Sequence, residues 1–469
     1  MFRDFRTHTP QEGRGLKGRL LDPSVRWQLL AVFFLAIVLR TAVTIYTGAY
    51  HPGEARGHWE FGYEAGRLAY SLATGQGFSS PMPEPTGPSA FLAPAYPFFV
   101  SCVFRVFGVY SEASAIAILA IDIVISAITC IALYLLGEQL FGRMTGLIAA
   151  YAFAVFPPSI YQAGTNIFEA TLTAFAVVVL LNMLFSLPEV PTSRDCIVVG
   201  LAMAATIYIN YPPAVFYPAA VVWIGLRAWH TGAGAAQALK APALLSVVCL
   251  LAFSPWMIRN RIQVGTWLRP SGIQLILGNN EKAWERHGDW NEDIYAPNSP
   301  EEMRLYQQMG ELAYDAYCKQ RALHFIHENP DKFRDLIFFR MAEWWLGTSN
   351  ADRKGRGAAA YRLMVIGLIT AAGIGLVFAF RAQKRVGLLL AIVLIYPIPY
   401  YIFHVMGRYR FPIESIFVLL ASFAAVTFGD WVKGSSKLDF SSVISSSDTW
   451  PETRKLPRAN RGRASCPGD

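Results

Sequence analysis

Between the apolar runs LLLAIVLIYPIPYYIF (388–403) and IESIFVLLASFAAVTF (413–428) lies the stretch HVMGRYRFP, residues 404–412. His404, Arg408 and Arg410 crowd around Tyr409 where two membrane-length segments meet, and a plain turn between helices needs none of them. Clustered guanidinium groups bind anions, phosphate above all, through charge-assisted, two-pronged hydrogen bonds. Acids that could work opposite them sit elsewhere. Glu60 and Glu64, in HWEFGYEAGRLAYSLATGQGF (58–78), are four apart on one face of an expected amphipathic helix. Two near carboxylates repel, which makes one a candidate general base; a solvated acidic face is the plainer account. Glu169 opens the span FEATLTAFAVVVLLNMLF just after Pro157, Pro158 and Asn166. There it is either a second functional acid or a helix cap favoured by the dipole.

Other polar residues stand in apolar surroundings. Asp122 lies within IDIVISAI, where an acid is a functional candidate by default. Arg40, within AIVLRTAVTIY, can snorkel outward or bind a lipid phosphate at the headgroup level. In SPWMIRNRIQVGTWLRPSGIQLILGNN (254–280), Arg259, Asn260 and Arg261 emerge from a span, and Gly278-Asn279-Asn280 offers a tight turn with amide side chains. That equipment suits a sugar or a phosphate. In HENPDKFRDLIFFRMAEWWLG (327–347), Trp344 and Trp345 read as interfacial anchors.

The elements that must position these groups are membrane helices. The chain is 54% hydrophobic and 16% charged, and long uncharged windows recur along it, which excludes an ordinary soluble domain. Its six cysteines show no CxxC spacing, so neither a zinc site nor a disulfide framework is indicated. The polar, basic residues 1–26 lack the apolar core of a signal peptide, so the first span is expected to be an uncleaved anchor. Spans are expected at 27–47, 113–137, 144–158, 169–187, 196–210, 212–229, 241–257, 360–381, 386–403 and 411–430. The run 91–108, with Pro94, Pro97 and Arg105, is ambiguous. If it lies flat, Arg143, Arg194, Arg227, Lys240, Arg381, Lys384 and Arg385 share one side with both basic tails. That side is cytoplasmic by the positive-inside tendency.

The expected chain is therefore an all-α polytopic membrane protein with about ten transmembrane helices and both ends inside. Its parts are a basic tail 1–26, an N-terminal transmembrane catalytic module 27–257 with an outer loop 48–112, and an outer loop domain 258–358. C-terminal helices 359–431 and a disordered Ser/Pro/Arg-rich tail 432–469 complete it. The 258–358 loop is near-neutral, with 14 Lys/Arg and 14 Asp/Glu. No repeat of the inverted-transporter kind is evident.

The order of the motifs carries a resemblance. An Arg in the first span precedes E-x-x-x-L-A-x-S-L-A-x-G-x-G-F-S, then P-x-x-x-A-F-L-A-P-A-Y-P-F and G-V-Y. F-G-R, F-P-P followed by an acid, P-W-x-x-R-N, G-N-N and R-Y-R-F-P follow in turn. Over roughly 27–430 this resembles the bacterial GT-C glycosyltransferases related to protein O-mannosyltransferases and lipid A aminoarabinose transferases, the family 39-like group. The resemblance implies a GT-C fold with outward-facing juxtamembrane helices, 91–108 among them. It implies transfer of a sugar from a polyprenyl-phosphate carrier to a glycolipid, glycan or protein acceptor on the outer face, in a bacterial inner membrane with the site facing the periplasm. It implies a carboxylate base at Glu64, whose register against L-A-x-S-L-A is better than that of Glu60, although the family more often has Asp. Glu169 matches the second acid. Arg408, Arg410, His404 and Tyr409 would hold the carrier phosphate, with Arg259, Asn260, Asn279 and Arg40 as further donor-binding candidates. No cofactor is expected; a divalent Mg or Mn ion between acids, as some superfamily members hold, is the alternative. The competing functional class is a polytopic transporter or lipid flippase.

The charge argument predicts that reporter fusions at Gly232 and Gln383 read cytoplasmic and one at Asn298 reads external. Opposite readings would overturn the topology.

Overall fold

A computed structural model describes residues 23–51, 61–232, 234–289, 292–347, 356–382, 384 and 386–434. Glu60 and the tail beyond 434 fall outside them. The chain to Val426 forms one compact unit; a second unit begins at Thr427. Helices account for nearly all of the regular structure. They run α1 Pro23–Thr47, α2 Glu64–Ala73, α3 Ala95–Phe107, α4 Glu112–Phe141, α5 Arg143–Val155, α6 Pro157–Thr165, α7 Ala170–Ser186 and α8 Ser193–Ile209. After α9 Tyr217–His230 and α10 Ala235–Gln263 come the short α11 Gly272–Gly278 and α12 Glu281–Glu285, then α13 Pro300–Met309, α14 Glu311–Glu328 and α15 Pro330–Leu346. The chain closes with α16 Arg356–Arg381, α17 Gly387–Ile395, α18 Ile398–Ile402 and α19 Gly407–Val432. Among the described residues there is no strand, only an isolated bridge between Ser79 and Pro88.

Five helices (α1, α4, α10, α16 and α19) are long and apolar enough to cross a membrane, and the bent pair α5–α6 makes a sixth. The remaining expected spans fall on shorter helices, and in two of them proline interrupts the chain. Pro212 and Pro213 sit in a 3-10 turn ahead of α9, and Pro397 and Pro399 divide 386–403 into α17 and α18. The 144–158 segment ends at Phe156, which takes an extended conformation before Pro157 as the steric rule for pre-proline residues requires. Its continuation α6 leaves at 52°. Local capping fixes the other ends. The Ser111 hydroxyl accepts from the Ser114 amide at the start of α4, and Thr192 with Asp195 forms a capping box at α8. The α4–α5 hairpin closes through two glycines: a Cβ on Gly137 would meet the Cα of Gly146 at 2.7 Å.

The break between α5 and α6 has a cost and a remedy. Pro157 and Pro158 have no N–H, so the carbonyls of Phe153 and Ala154 lose their helical donors inside an apolar bundle. Arg40 replaces them. Fully buried on α1, it donates to Ala154 O at 2.9 Å and Phe153 O at 3.4 Å, with Ser126 Oγ at 2.8 Å on α4 and Ser159 Oγ at 2.9 Å on α6. This corrects the expectation that Arg40 binds lipid or donor phosphate: its guanidinium is consumed by the backbone.

Arg40→Met should therefore destabilise the fold, since each buried carbonyl left unpaired costs about 1–3 kcal/mol. A thermal unfolding scan in detergent checks it, and an unchanged midpoint would return Arg40 to the lipid-binding candidates.

Candidate active site

One cavity of about 330 Å³ gathers side chains from elements far apart in the chain. Glu64, Glu169, Arg269, Gln274, His404, Arg408 and Tyr409 line it, with Tyr396 and Tyr400 on an aromatic wall. Glycine makes the convergence of the two acids possible. Gly62 sits at φ +80°, and a Cβ there would lie 2.6 Å from Ile167 O. The turn leading into α2 thus rests directly on the turn leading into α7.

Glu64 is the first residue of α2, where the helix dipole favours a negative charge. It follows Tyr63, held at φ 58° in the left-handed region that side chains seldom adopt. Tyr295, from the segment between α12 and α13, donates its hydroxyl to Glu64 Oε1. Burial and the neighbouring Glu64 charge push the Tyr295 phenol well above its ordinary range, so it stays a donor. Glu169 immediately precedes α7 and makes no side-chain capping bond. Its carboxylate faces the cavity, in electrostatic reach of Arg408, Glu64 and Arg269. Capping does not explain it.

Arg408 stacks over the Phe168 ring at 4.3 Å and lies within electrostatic reach of both acids. Arg269 packs over the Phe91 ring at 5.1 Å and brings a second guanidinium to the same space. Sequence reasoning passed over Arg269 and Tyr295; the Arg-Pro-Ser turn after α10 is the only local signal for the first, and the second carries none. His404 is buried, its Nε2 3.0 Å from Tyr409 Oη. Burial first, then the Arg340 cation with Arg408 and Arg269 behind it, lowers the imidazole to about 3. His404 is neutral at working pH and offers a hydrogen bond, not a charge. Its depressed value makes the folded state lose stability as pH falls below about 6.5, the ordinary value, toward its folded one.

Several expected site residues lie off the cavity. Arg410 is buried in an ion pair with Glu414 at 2.9 Å and donates to Trp344 O at 2.7 Å and Tyr361 Oη at 3.2 Å. Arg259 packs on Phe78 and Trp256, donates to Ser89 O and Phe78 O, and shares Asn260 Oδ1 at 3.0 Å. Asn279 is fully buried; its amide donates to Leu275 O and Ile402 O. Arg340 donates to Gly278 O, Tyr401 O, Ile402 O and Asn279 Oδ1. Together Arg340 and Asn279 fix the turn that presents His404. Arg410, Arg259, Asn260 and Asn279 are engaged within the protein and do not line the cavity, so the expectation that they touch the donor is corrected. Among the described residues no three His, Cys, Asp or Glu side chains are placed to hold a metal ion.

Comparison with known proteins bears on this arrangement. Residues 90–258 match a family model described as dolichyl-phosphate-mannose-protein mannosyltransferase. No curated protein matches the chain. Among solved structures it is similar to the archaeal oligosaccharyltransferase AglB from Archaeoglobus fulgidus in complex with an inhibitory peptide and a dolichol-phosphate. That likeness has 13% identity and a TM-score of 0.47, covering 91% of this chain and 53% of that one. A form of the Archaeoglobus fulgidus oligosaccharyltransferase tethered to an acceptor peptide gives 13% identity, a TM-score of 0.48, and coverage of 90% and 53%. ArnT from Cupriavidus metallidurans bound to undecaprenyl phosphate gives 14% identity and a TM-score of 0.39, covering 86% of this chain and 78% of that one. The chain thus spans about half the length of the oligosaccharyltransferases it matches. The family-matched segment runs from just before α3 into α10 and carries one of the two cavity acids, Glu169.

Proposed function

We propose that the chain is an integral membrane glycosyltransferase that moves a sugar from a polyprenyl-phosphate carrier to an envelope acceptor at the outer face of the membrane. The observation that carries the reading is the meeting of two carboxylates, Glu64 and Glu169, with two arginines, Arg408 and Arg269, in one partly apolar cavity. A family match to mannosyltransferases described as dolichyl-phosphate-dependent, over 90–258, supports the same class. In this reading Glu64 takes the proton of an acceptor hydroxyl or amine as that atom attacks the anomeric carbon. The bond from that carbon to the phosphate oxygen breaks with inversion, and the carrier leaves as a phosphate monoester. The diester's single negative charge becomes two, and Arg408 and Arg269 are positioned to stabilise the increment. Neutral His404, coupled to Tyr409, adds a hydrogen bond to the phosphate without adding charge. Glu169 balances Arg408 while the site is empty. No step here is assigned to a metal ion.

Purified protein in lipid nanodiscs, supplied with a polyprenyl-phosphate sugar, should release polyprenyl phosphate as it glycosylates an acceptor. Mass spectrometry of envelope glycans from a deletion strain would identify that acceptor. Movement of intact carrier lipid without bond cleavage would instead support the flippase class.

Arg408→Ala should lose about 2–4 kcal/mol of transition-state stabilisation, the range for removing a preorganised donor. Arg408→Lys should restore part of it, because an ammonium lacks the planar fork. Arg410→Ala should act differently, lowering thermal stability by stranding the buried Glu414 charge. Equal transfer rates in wild type and Arg408→Ala would rule out the phosphate role.

Glu64→Gln should cut turnover by about 10²–10⁴-fold while carrier binding persists, as expected for losing a general base and keeping its shape. Glu60→Gln should cost much less. The reverse ranking would move the base to Glu60.

A further inference from the structure

Asp122 has no part in that mechanism, yet it lies 1% exposed inside α4 and one of its carboxylate oxygens has no hydrogen-bond partner. The same holds for Tyr96 Oη on α3, Gln162 Nε2 on α6 and Thr171 Oγ1 on α7, all buried. Buried polar atoms are ordinarily paired, and several orphans facing one another mark a place for ordered water.

Arg40 sets two of the helices that carry them beside each other. It joins Ser126 of α4 to Ser159 of α6, so those two turns lie side by side. The α4–α5 hairpin turns back at Gly142, so α6, which continues α5, runs antiparallel to α4. Moving one turn outward along both helices leads from Ser126 to Asp122 and from Ser159 to Gln162. On the other flank, the Tyr96 hydroxyl lies in electrostatic reach of both Asp122 and Glu169. It bonds to neither directly, so a proton passing between them would need bridging water. Tyr96 thus relates Glu169 at the cavity to Asp122 within α4.

We infer that Asp122 exchanges a proton with Glu169 through Tyr96 and bridging water, and thereby sets whether Glu169 holds Arg408. In the forward step the Glu169 carboxylic acid releases its proton through water to the Tyr96 oxygen. The Tyr96 O–H proton passes to the Asp122 carboxylate. One proton moves, no electrons move, and Tyr96 ends as the phenol it began as. An ionised Glu169 competes with the carrier phosphate for Arg408; a protonated one releases it. Tyr96 on α3 lies in electrostatic reach of Asp122, Glu169 ahead of α7 is in reach of the same Tyr96, and Arg40 of α1 bonds Ser126 one turn inward on α4. The α6 helix faces it with neutral Gln162, Tyr161 being exposed, and Arg143 and Tyr151 of α5 lie inward of the Arg40 level. Asp122 and Tyr96 are positioning residues in this scheme. The consequence for carrier binding rests on the transferase reading, whereas the proton coupling does not.

The test uses the full chain in nanodiscs and two readouts, neither of which needs sugar transfer. Infrared difference spectra across a pH step should show a buried carboxyl C=O band that Asp122→Asn removes and that both Tyr96→Phe and Glu169→Gln displace. Affinity for a polyprenyl phosphate, followed against pH, should have its midpoint moved by about one pH unit, a tenfold change in proton affinity, in Tyr96→Phe and Asp122→Asn. If Asp122→Asn fails to fold, Tyr96→Phe carries both measurements, since it removes one oxygen. A carboxyl band indifferent to Tyr96→Phe and Glu169→Gln overturns the inference. A protein that shows the coupled band and binds no polyprenyl phosphate would instead overturn the functional reading and leave the proton coupling standing.

Discussion

A backbone carbonyl inside an apolar bundle must find a donor within the protein, and the site depends on that constraint. Broken helices are useful here because they deliver polar side chains to the cavity, but every break strands carbonyls. Arginine supplies the missing donors. Arg40 does so at the α5–α6 bend, Arg340 at the turn before His404, Arg410 at the end of α15, and Arg259 along 78–89. A guanidinium has five N–H groups in a fixed fork, so one side chain can serve two or three carbonyls at once. Lysine could not do the same with one compact ammonium.

The same constraint explains what could and could not be read from the sequence. The all-α architecture was legible, because long apolar helices announce themselves. So were Glu64, Glu169, His404, Arg408 and Tyr409 as polar residues that a plain turn or span does not require, and the structure gathers them around one cavity. The division between Arg408 and Arg410 follows from helical geometry: two positions apart is about 200° of rotation, so they face opposite ways. What stayed hidden was the partner. An arginine beside an apolar run looks the same whether it meets a phosphate or a carbonyl, and Arg40, Arg259 and Arg410 all went to the protein. Asn279 was hidden for the same reason. Tyr295 and Arg269 come from the stretch between α10 and α13, and nothing in their neighbourhoods encodes the distance they close to reach Glu64 and the cavity.

Charge in the cavity is arranged as opposing pairs rather than as a single field. Two acids and two arginines nearly cancel, and the histidine beside them is kept neutral by its burial first and by its cationic neighbours second. Such a site tolerates an incoming anion because one extra negative charge tips a balance instead of entering a strongly negative pocket. Aromatic faces at Phe91 and Phe168 hold the guanidinium groups of Arg269 and Arg408 without taking hydrogen bonds from them.

Gly278 shows where this protein can transmit motion. A Cβ at that position would sit 1.7 Å from Phe403 O, so the backbone at the end of α11 lies directly on the backbone of the turn beside His404. No side chain cushions the contact, and the α11 helix itself is fastened to α14, where the Ile273 amide donates to Asp315 Oδ1 at 2.9 Å. Contacts between bare backbones cannot be relaxed by a rotamer change. A shift of α11 cannot be taken up by a side chain at this contact, so it reaches the histidine turn through backbone alone.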